Sequence, residues 1–183
     1  MERNVAMIAL FAALIAVLGL VPPITLAFGV PVTAQSLGVM LAGTVLGARR
    51  GVMAVLLFVG LVALGLPLLA GGRGGLGVFA SPTVGYLVGF PVAAFVTGWI
   101  VEHWRGANLA LVAGFAAVVG GIGIDHAFGV VGMAVVLDRS LAEAALLTAA
   151  FIPGDLLKAA IAGMLTAALA RARPGSVPSR ANV

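Results

Sequence analysis

Two ionisable residues interrupt the last apolar run of this chain: Asp155 and Lys158, in the stretch IPGDLLKA. Three residues apart, they share one face of a helix. Pro153 suits the first helical turn, where its missing N–H costs nothing. A carboxylate accepts N–H donors and an ammonium donates to a ligand oxygen. Ionisable groups at membrane depth are expensive and mark a function and a partner. Two readings are open from spacing alone. The pair either satisfies itself and locks the helix, or it points into a pocket and grips a polar head-group.

Other polar residues fall in apolar surroundings. Asp125-His126 could serve as a proton relay, a ligand contact or an interfacial cap. Two residues are too few for a metal site, and His103 belongs to the opposite end of the topology, so no metal is expected. Gln35 and Thr33, near the outer end of the second apolar run, are placed to face a cavity. Tyr86 could anchor at the interface or stack on and hydrogen-bond a ligand. Arg73 could draw an anion to a pocket mouth or be a solvated loop arginine. No acid, base and nucleophile converge, so an enzyme is not expected. Nothing matches GxxxxGK[ST], so uphill movement would need an ion gradient or a partner's ATP.

These side chains need a frame, and the composition permits one kind. The chain has 183 residues, 62% hydrophobic and 9% charged, with mean hydropathy +1.23. A soluble domain carries about 25% charged residues. An all-α membrane protein embedded in the lipid bilayer is therefore expected; the runs lack the two-residue alternation of membrane β-strands. There is no cysteine for disulfides or thiolate ligands. The net charge of +4 reads as cytoplasmic anchoring rather than as nucleic-acid binding. Arg3 precedes an apolar stretch, but residues 17–21 offer no persuasive small-x-small cleavage site, so the segment is kept as a first helix.

Six transmembrane helices are expected, at about residues 5–21, 32–48, 52–66, 84–101, one beginning near 108, and 152–169. Pro22-Pro23 ends the first, and Arg49-Arg50-Gly51 turns the second into the third. Glu102, Trp104 and Arg105 form an interfacial turn. The apolar run 108–137 is too long for one simple span, so Asp125-His126 is read as its end and 127–137 as a bent extension or interfacial segment. Residues 1–171 make a single domain and 172–183 a disordered basic cytoplasmic tail. With the N-terminus inside, the cytoplasmic side holds Arg3, Arg49, Arg50, Arg105, Arg171, Arg173 and Arg180, and the outer side only Arg73 and Arg139. That is the positive-inside asymmetry, with both termini cytoplasmic.

Between the third and fourth spans lies LGLPLLAGGRGGLGVFASPTVGYLVGF, residues 64–90. Its glycines and prolines forbid a continuous helix. It is too apolar for a solvated linker or for disorder. The expectation is a lid or pocket wall on the outer side, level with Asp155 and Lys158. At the opposite end of the chain, Ala9 and Ala13 interleave with Ala12 and Ala16, a small-xxx-small pattern that allows close helix contact. Alanine is abundant throughout, so spacing alone does not single this face out.

Three stretches, RNVAMIALFAALIAV, GLPLLAGGRGGLGVFASPTVGYLVGF and PGDLLKA, resemble the BioY family, the biotin-specific S components of energy-coupling factor (ECF) transporters. The likeness runs to about Arg171. The family pattern reads roughly GLPVFAGG-x-GG, GPTGGYL-x-GF and PGD-x-x-K; Leu68, Ser81 and Val84 depart from it. His126 and Gly132 stand where the family often has Tyr and Trp. The resemblance implies a six-helix S-component bundle with an outward-facing pocket, in a bacterial cytoplasmic (inner) membrane. It implies a high-affinity biotin-capturing subunit that needs no cofactor. Its partners would be a transmembrane coupling protein and cytoplasmic ATPase subunits, which alone use ATP, and toppling would carry the vitamin inward. The family's alanine-rich first-helix motif maps onto Ala9 and Ala13 as the face for the coupling protein.

Biotin's ureido N–H groups suit Asp155, and its carbonyl or carboxylate suits Lys158. Backbone N–H groups of Gly74 and Gly75, with Arg73, could hold the anion, and Phe79, Leu76 and Phe28 could line the apolar side. Tyr86 and Gln35 complete the expected ligand-binding set. The alternative is a self-sufficient proton-coupled secondary carrier for biotin or another small vitamin, relaying through Asp125, His126 and Asp155. Six spans without a recognisable inverted repeat argue against it. A purely structural bundle would leave the glycine-rich loop unexplained.

Overall fold

The structure is a computed structural model that describes residues 2–25, 31–106 and 108–180. Helix α1 (Glu2–Leu18) is followed by a two-residue antiparallel ladder of β1 (Ile24–Thr25) with β2 (Pro31–Val32). Helix α2 (Gln35–Leu41) runs on through wider π-type turns at Ala42–Leu46, and α3 covers Ala48–Ala63. A 3-10 turn, Leu76–Ala80, sits in the glycine-rich loop before α4 (Val84–His103). Helix α5 (Leu109–Ala117) passes through π-type turns at Val118–Ile124 into α6 (Asp125–Val136). Helices α7 (Leu141–Ala149) and α8 (Ile152–Ala172) follow.

Three of these runs are long and apolar enough to cross a membrane: Val84–His103, Leu109–Val136 and Ile152–Ala172. The outward faces are apolar as well. Leu10 and Val17 on α1, Met53 and Leu56 on α3, Phe95 on α4 and Leu157 and Met164 on α8 are all exposed. Lipid tails, not water, are the solvent such a surface requires. Lipid gives little apolar drive for helix–helix contact, so small residues and hydroxyls do the work inside. Gly132 of α6 lies so close to Gly85 of α4 that a Cβ would strike its backbone. Thr166 of α8 donates to Thr44 at 2.8 Å, and Thr97 of α4 donates to the Ala116 carbonyl at 3.2 Å.

Several boundaries differ from the sequence-based expectation, each for a local reason. Helix α1 stops at Leu18, ahead of Pro22, where Gly19 packs against the Leu68 carbonyl. The turn between α2 and α3 is made by Gly47 at φ +85, a left-handed conformation that favours glycine. Arg49, Arg50 and Gly51 already belong to the first turns of α3. The Ala48 N–H donates to Glu102 Oε1 at 3.1 Å, so Glu102 caps α3 as well as closing α4. Asp125-His126 does not end the fifth span; the helical run passes through it to Val136.

Helix α7 was not expected. It is nucleated by a reciprocal capping box in which Ser140 Oγ accepts the Glu143 N–H and Glu143 accepts from Ser140. The tail forms two short 3-10 turns, Pro174–Ser176 and Pro178–Arg180. Val177, Pro178 and Ser179 are buried, and Ser179 Oγ donates to the Thr44 carbonyl at 2.6 Å. Residues 181–183 of that expected tail lie outside the described residues.

Candidate functional site

The starts of α2, α4 and α8, the middle of the α5–α6 run and the glycine-rich loop converge on one cavity, of about 600 Å³ counting its mouth. One wall is polar, with Ser36, Asp125, His126, Asp155 and Lys158. Aromatic and aliphatic residues line it as well, with Tyr86, Leu87, Phe90, Phe151 and Leu69, and Arg73 also borders it.

Asp155 is the hub of the polar wall. Pro153 starts α8, and the two residues beyond it bring the carboxylate into the bundle, 5% exposed. Lys158 Nζ donates to Asp155 Oδ1 at 2.8 Å and to Ser36 Oγ at 3.0 Å. Ser36 Oγ donates to Asp155 Oδ1 at 3.3 Å. His126 Nε2 lies 2.9 Å from Asp155 Oδ2. An ionised carboxylate only accepts, which assigns that proton to His126 Nε2. A buried carboxylate is tolerated when it is paired and its lone pairs are used, and three neighbours do that here. One Lys158 proton beyond those two bonds remains for a ligand oxygen.

The aromatic side is ordered by edge-to-face contacts. Tyr86 meets His126 and Phe151 with ring centroids 5.9 Å apart in each case, at interplanar angles of 85° and 78°. Such T-shaped pairs are the favoured geometry of aromatic quadrupoles. The Tyr86 hydroxyl points to Met133 Sδ at 4.0 Å. His126 therefore touches both sets of residues, Asp155 through its Nε2 and Tyr86 through its ring.

The residues expected from sequence divide. Asp155, Lys158, Tyr86, Arg73 and Gln35 all border the cavity. Gln35, 2% exposed, spends its amide on backbone: Nε2 donates to the Ile15 and Leu68 carbonyls at 3.2 and 3.0 Å, and Oε1 accepts the Ala70 N–H at 3.1 Å. It fastens the glycine-rich loop to α1 and holds the wall rather than reaching inward.

Gly74, Gly75 and Phe79 do not line the cavity. The loop uses its glycines for its own fold: Gly71 and Gly72 turn at φ +77 and +70 under the Leu69–Arg73 bridge, and the Gly75 N–H donates to the Val62 carbonyl at 2.8 Å. Gly74 backs onto Leu66, and Phe79 packs on the main core. Leu76 is exposed, at 76%, and Phe28 lies outside the described residues. Arg73 keeps its place at the wall through Nε, which donates to the Ala70 carbonyl at 3.2 Å.

Ser36, Phe90 and Phe151 are wall residues that the sequence reading missed. Ser36 had a signal, a second polar residue beside Gln35 at the head of an apolar helix; the two phenylalanines looked like any other core residue. Ala9 and Ala13 sit on the exposed side of α1, whereas Ala12 is buried and Ala16 half-buried against the core. Among the described residues no three of His, Cys, Asp and Glu come together in a set that could hold a metal ion.

The family model described as the BioY family matches residues 2–175. The chain is 53% identical to the biotin transporter BioY of Rhodobacter capsulatus over 189 aligned positions, covering 98% of this chain and all of that protein. It is 51% identical to the biotin transporter BioY of Rhizobium etli, with 98% of each chain covered. Among solved structures it is similar to the crystallised S-component for biotin from an ECF-type ABC transporter, with TM-score 0.88, 26% identity, and 93% and 92% of the two chains covered.

Proposed function

This chain belongs to the BioY family, and on that premise we propose that it is a high-affinity biotin-binding S component, the substrate-capture subunit of an ECF-type vitamin transporter. It is a transport protein, not an enzyme. The observation that carries the reading is the Ser36–Asp155–Lys158 cluster lining the same cavity as Tyr86 and Phe151. Biotin combines a urea, which both donates and accepts, with an apolar thioether ring and an anionic tail. A cavity lined by both a polar cluster and aromatic rings, with Arg73 also at its border, matches that division. In this reading Asp155 accepts a ureido N–H, Lys158 donates to a ligand oxygen, Arg73 attracts the carboxylate, and Tyr86 covers the ring.

The membrane arrangement belongs to the same proposal. Helices α1, α2 with its π-type turns, α3, α4, the α5–α6 run and α8 make six spans, and α7 lies at the outer surface. Helix α1 has 17 residues and α3 has 16; at 1.5 Å per residue each runs about 25 Å, close to the ~30 Å hydrocarbon layer. Two contacts tie cationic segments together at the end opposite the cavity. Arg50 donates to Asn4, and Arg105 donates to the Arg180 carbonyl. That end is cytoplasmic by the positive-inside rule, which turns the cavity outward in a bacterial inner membrane. The exposed Ala9–Ala13 face of α1 is the docking face for a transmembrane coupling protein, whose ATPase partners alone consume ATP.

Reconstitution tests this reading. Liposomes holding the chain with its coupling protein and ATPases should take up biotin only with ATP. Uptake by the lone protein under a pH gradient would favour the proton-coupled carrier, with the His126–Asp155 contact as its relay. A panel of vitamins should raise thermal stability with biotin alone; a shift with thiamine or riboflavin and none with biotin would overturn the substrate.

A further inference from the structure

Asp125 is the cavity carboxylate that the functional reading leaves unused. It is 3% exposed, borders the cavity, and its Oδ1 is buried without a hydrogen-bond partner. The π-type turns at Val118–Ile124 immediately precede it; an added residue in a helical turn rotates everything after it, and such turns gather at functional sites. On the facing helix, Gly89 makes room for the carboxylate, since a Cβ there would stand 2.6 Å from Oδ1. A buried acceptor left unsatisfied is costly. Asp125 nonetheless carries this cost and borders the cavity.

The neighbouring carboxylate shows why a second acceptor is needed. Asp155 already accepts three bonds, from Lys158 and Ser36 on Oδ1 and from His126 on Oδ2. A carboxylate offers about four lone-pair sites, so it has room for one more donor. A cyclic urea brings two N–H donors, one on each side of its carbonyl. We infer that Asp125 is a ligand-binding residue in its own right, accepting one ureido N–H while Asp155 accepts the other. This rests on the biotin-binding reading and deepens it. Asp125 and His126 then divide two tasks: Asp125 touches the ligand, and His126 positions Asp155.

The test is equilibrium binding of biotin and of desthiobiotin, which keeps the urea and the tail but lacks the sulfur, to purified wild-type, Asp125→Leu and Asp125→Asn proteins. Thermal unfolding is measured without ligand alongside. Asp125→Leu should weaken both ligands by the same factor, about 10- to 100-fold, while its ligand-free unfolding temperature stays level or rises. Asp125→Asn keeps one oxygen acceptor and should weaken both by less than about fivefold.

Unchanged binding by Asp125→Leu would overturn the inference. So would a loss confined to biotin, which would place Asp125 against the thioether, or a loss matched by a fall in ligand-free stability, which would make the residue structural. Asp125→Ala repeats the comparison without the bulk should the leucine protein fail to fold. Wild-type protein that binds neither ligand would sink the functional reading and this inference with it; wild-type binding with unimpaired Asp125→Leu sinks the inference alone.

Discussion

The Lys158 ammonium and the Asp155 carboxylate, one helical turn apart on α8, meet at 2.8 Å in the cavity wall. The pair is therefore closed on itself and also borders the cavity. Their side chains are only 15% and 7% exposed, so water does little to screen them. Removing one partner strands the other. Lys158→Met should lower ligand-free stability by about 3–5 kcal/mol, read as denaturant or thermal unfolding in detergent. Asp155→Asn combined with Lys158→Met should recover most of that stability and still fail to bind biotin. A double variant as unstable as the single one would show that the pair is not the cause.

Gln35 bridges α1, α2 and the loop through three backbone contacts. Gln35→Leu leaves two carbonyls and one N–H without that partner, at about 1–3 kcal/mol for each group that stays unsatisfied. The expected outcome is faster hydrogen exchange across residues 68–75 and faster biotin release, because the loop carries Leu69 and Arg73 at the wall. Exchange unchanged in that segment would show the loop is held by its own turns alone.

The pocket was partly legible because polarity is conspicuous in an apolar chain. Asp155, Lys158 and Gln35 stand out in runs of Leu, Ala and Val, and the i, i+3 spacing fixes a shared face before any packing is known. The His126–Asp155 contact was not legible. It spans 29 residues and exists because the α5–α6 run packs beside α8. Gly74 and Gly75 show why glycine is ambiguous in a sequence: it lets a backbone approach a ligand, and it also lets a loop turn, as Gly75 does at φ +77. The tail reads as disordered from its Pro, Gly, Ser and Arg; Val177, buried in the structure, is its one large apolar residue before Val183. Helix α7 had a visible signal in Ser140-x-x-Glu143, hidden by the apolar runs on either side.

The α7 cap gives a pH-dependent prediction. The backbone N–H and then the hydroxyl of Ser140 hold Glu143 below the ordinary glutamate pKa. A depressed folded pKa stabilises above the unfolded value, and that contribution is lost as pH falls through the folded one. Ser140→Ala should loosen α7 near neutral pH. Limited proteolysis of α7 should show the gap between wild type and variant closing in acid. A gap independent of pH would mean the Glu143 carboxylate takes no part.

The two sides of α1 separate partner contact from folding. Ala9→Leu with Ala13→Leu adds bulk to the exposed face and should leave biotin binding by the isolated protein unchanged. Uptake in cells and co-purification with a coupling protein should fall at least about tenfold. Ala12→Leu, in contrast, overfills a buried position, 4% exposed, and should cost about 1–3 kcal/mol of stability. Equal effects from both faces would remove α1 as a docking surface.

The most direct test is the dissociation constant of biotin for the purified chain alone, in detergent and without any ATPase, beside Lys158→Met and Asp155→Asn. Tight one-to-one binding by the wild type, weakened at least about 30-fold in each variant, is the result predicted by a cavity whose charged pair holds the vitamin. Near-native affinity in both variants would contradict it and leave Asp155 and Lys158 as a lock within α8.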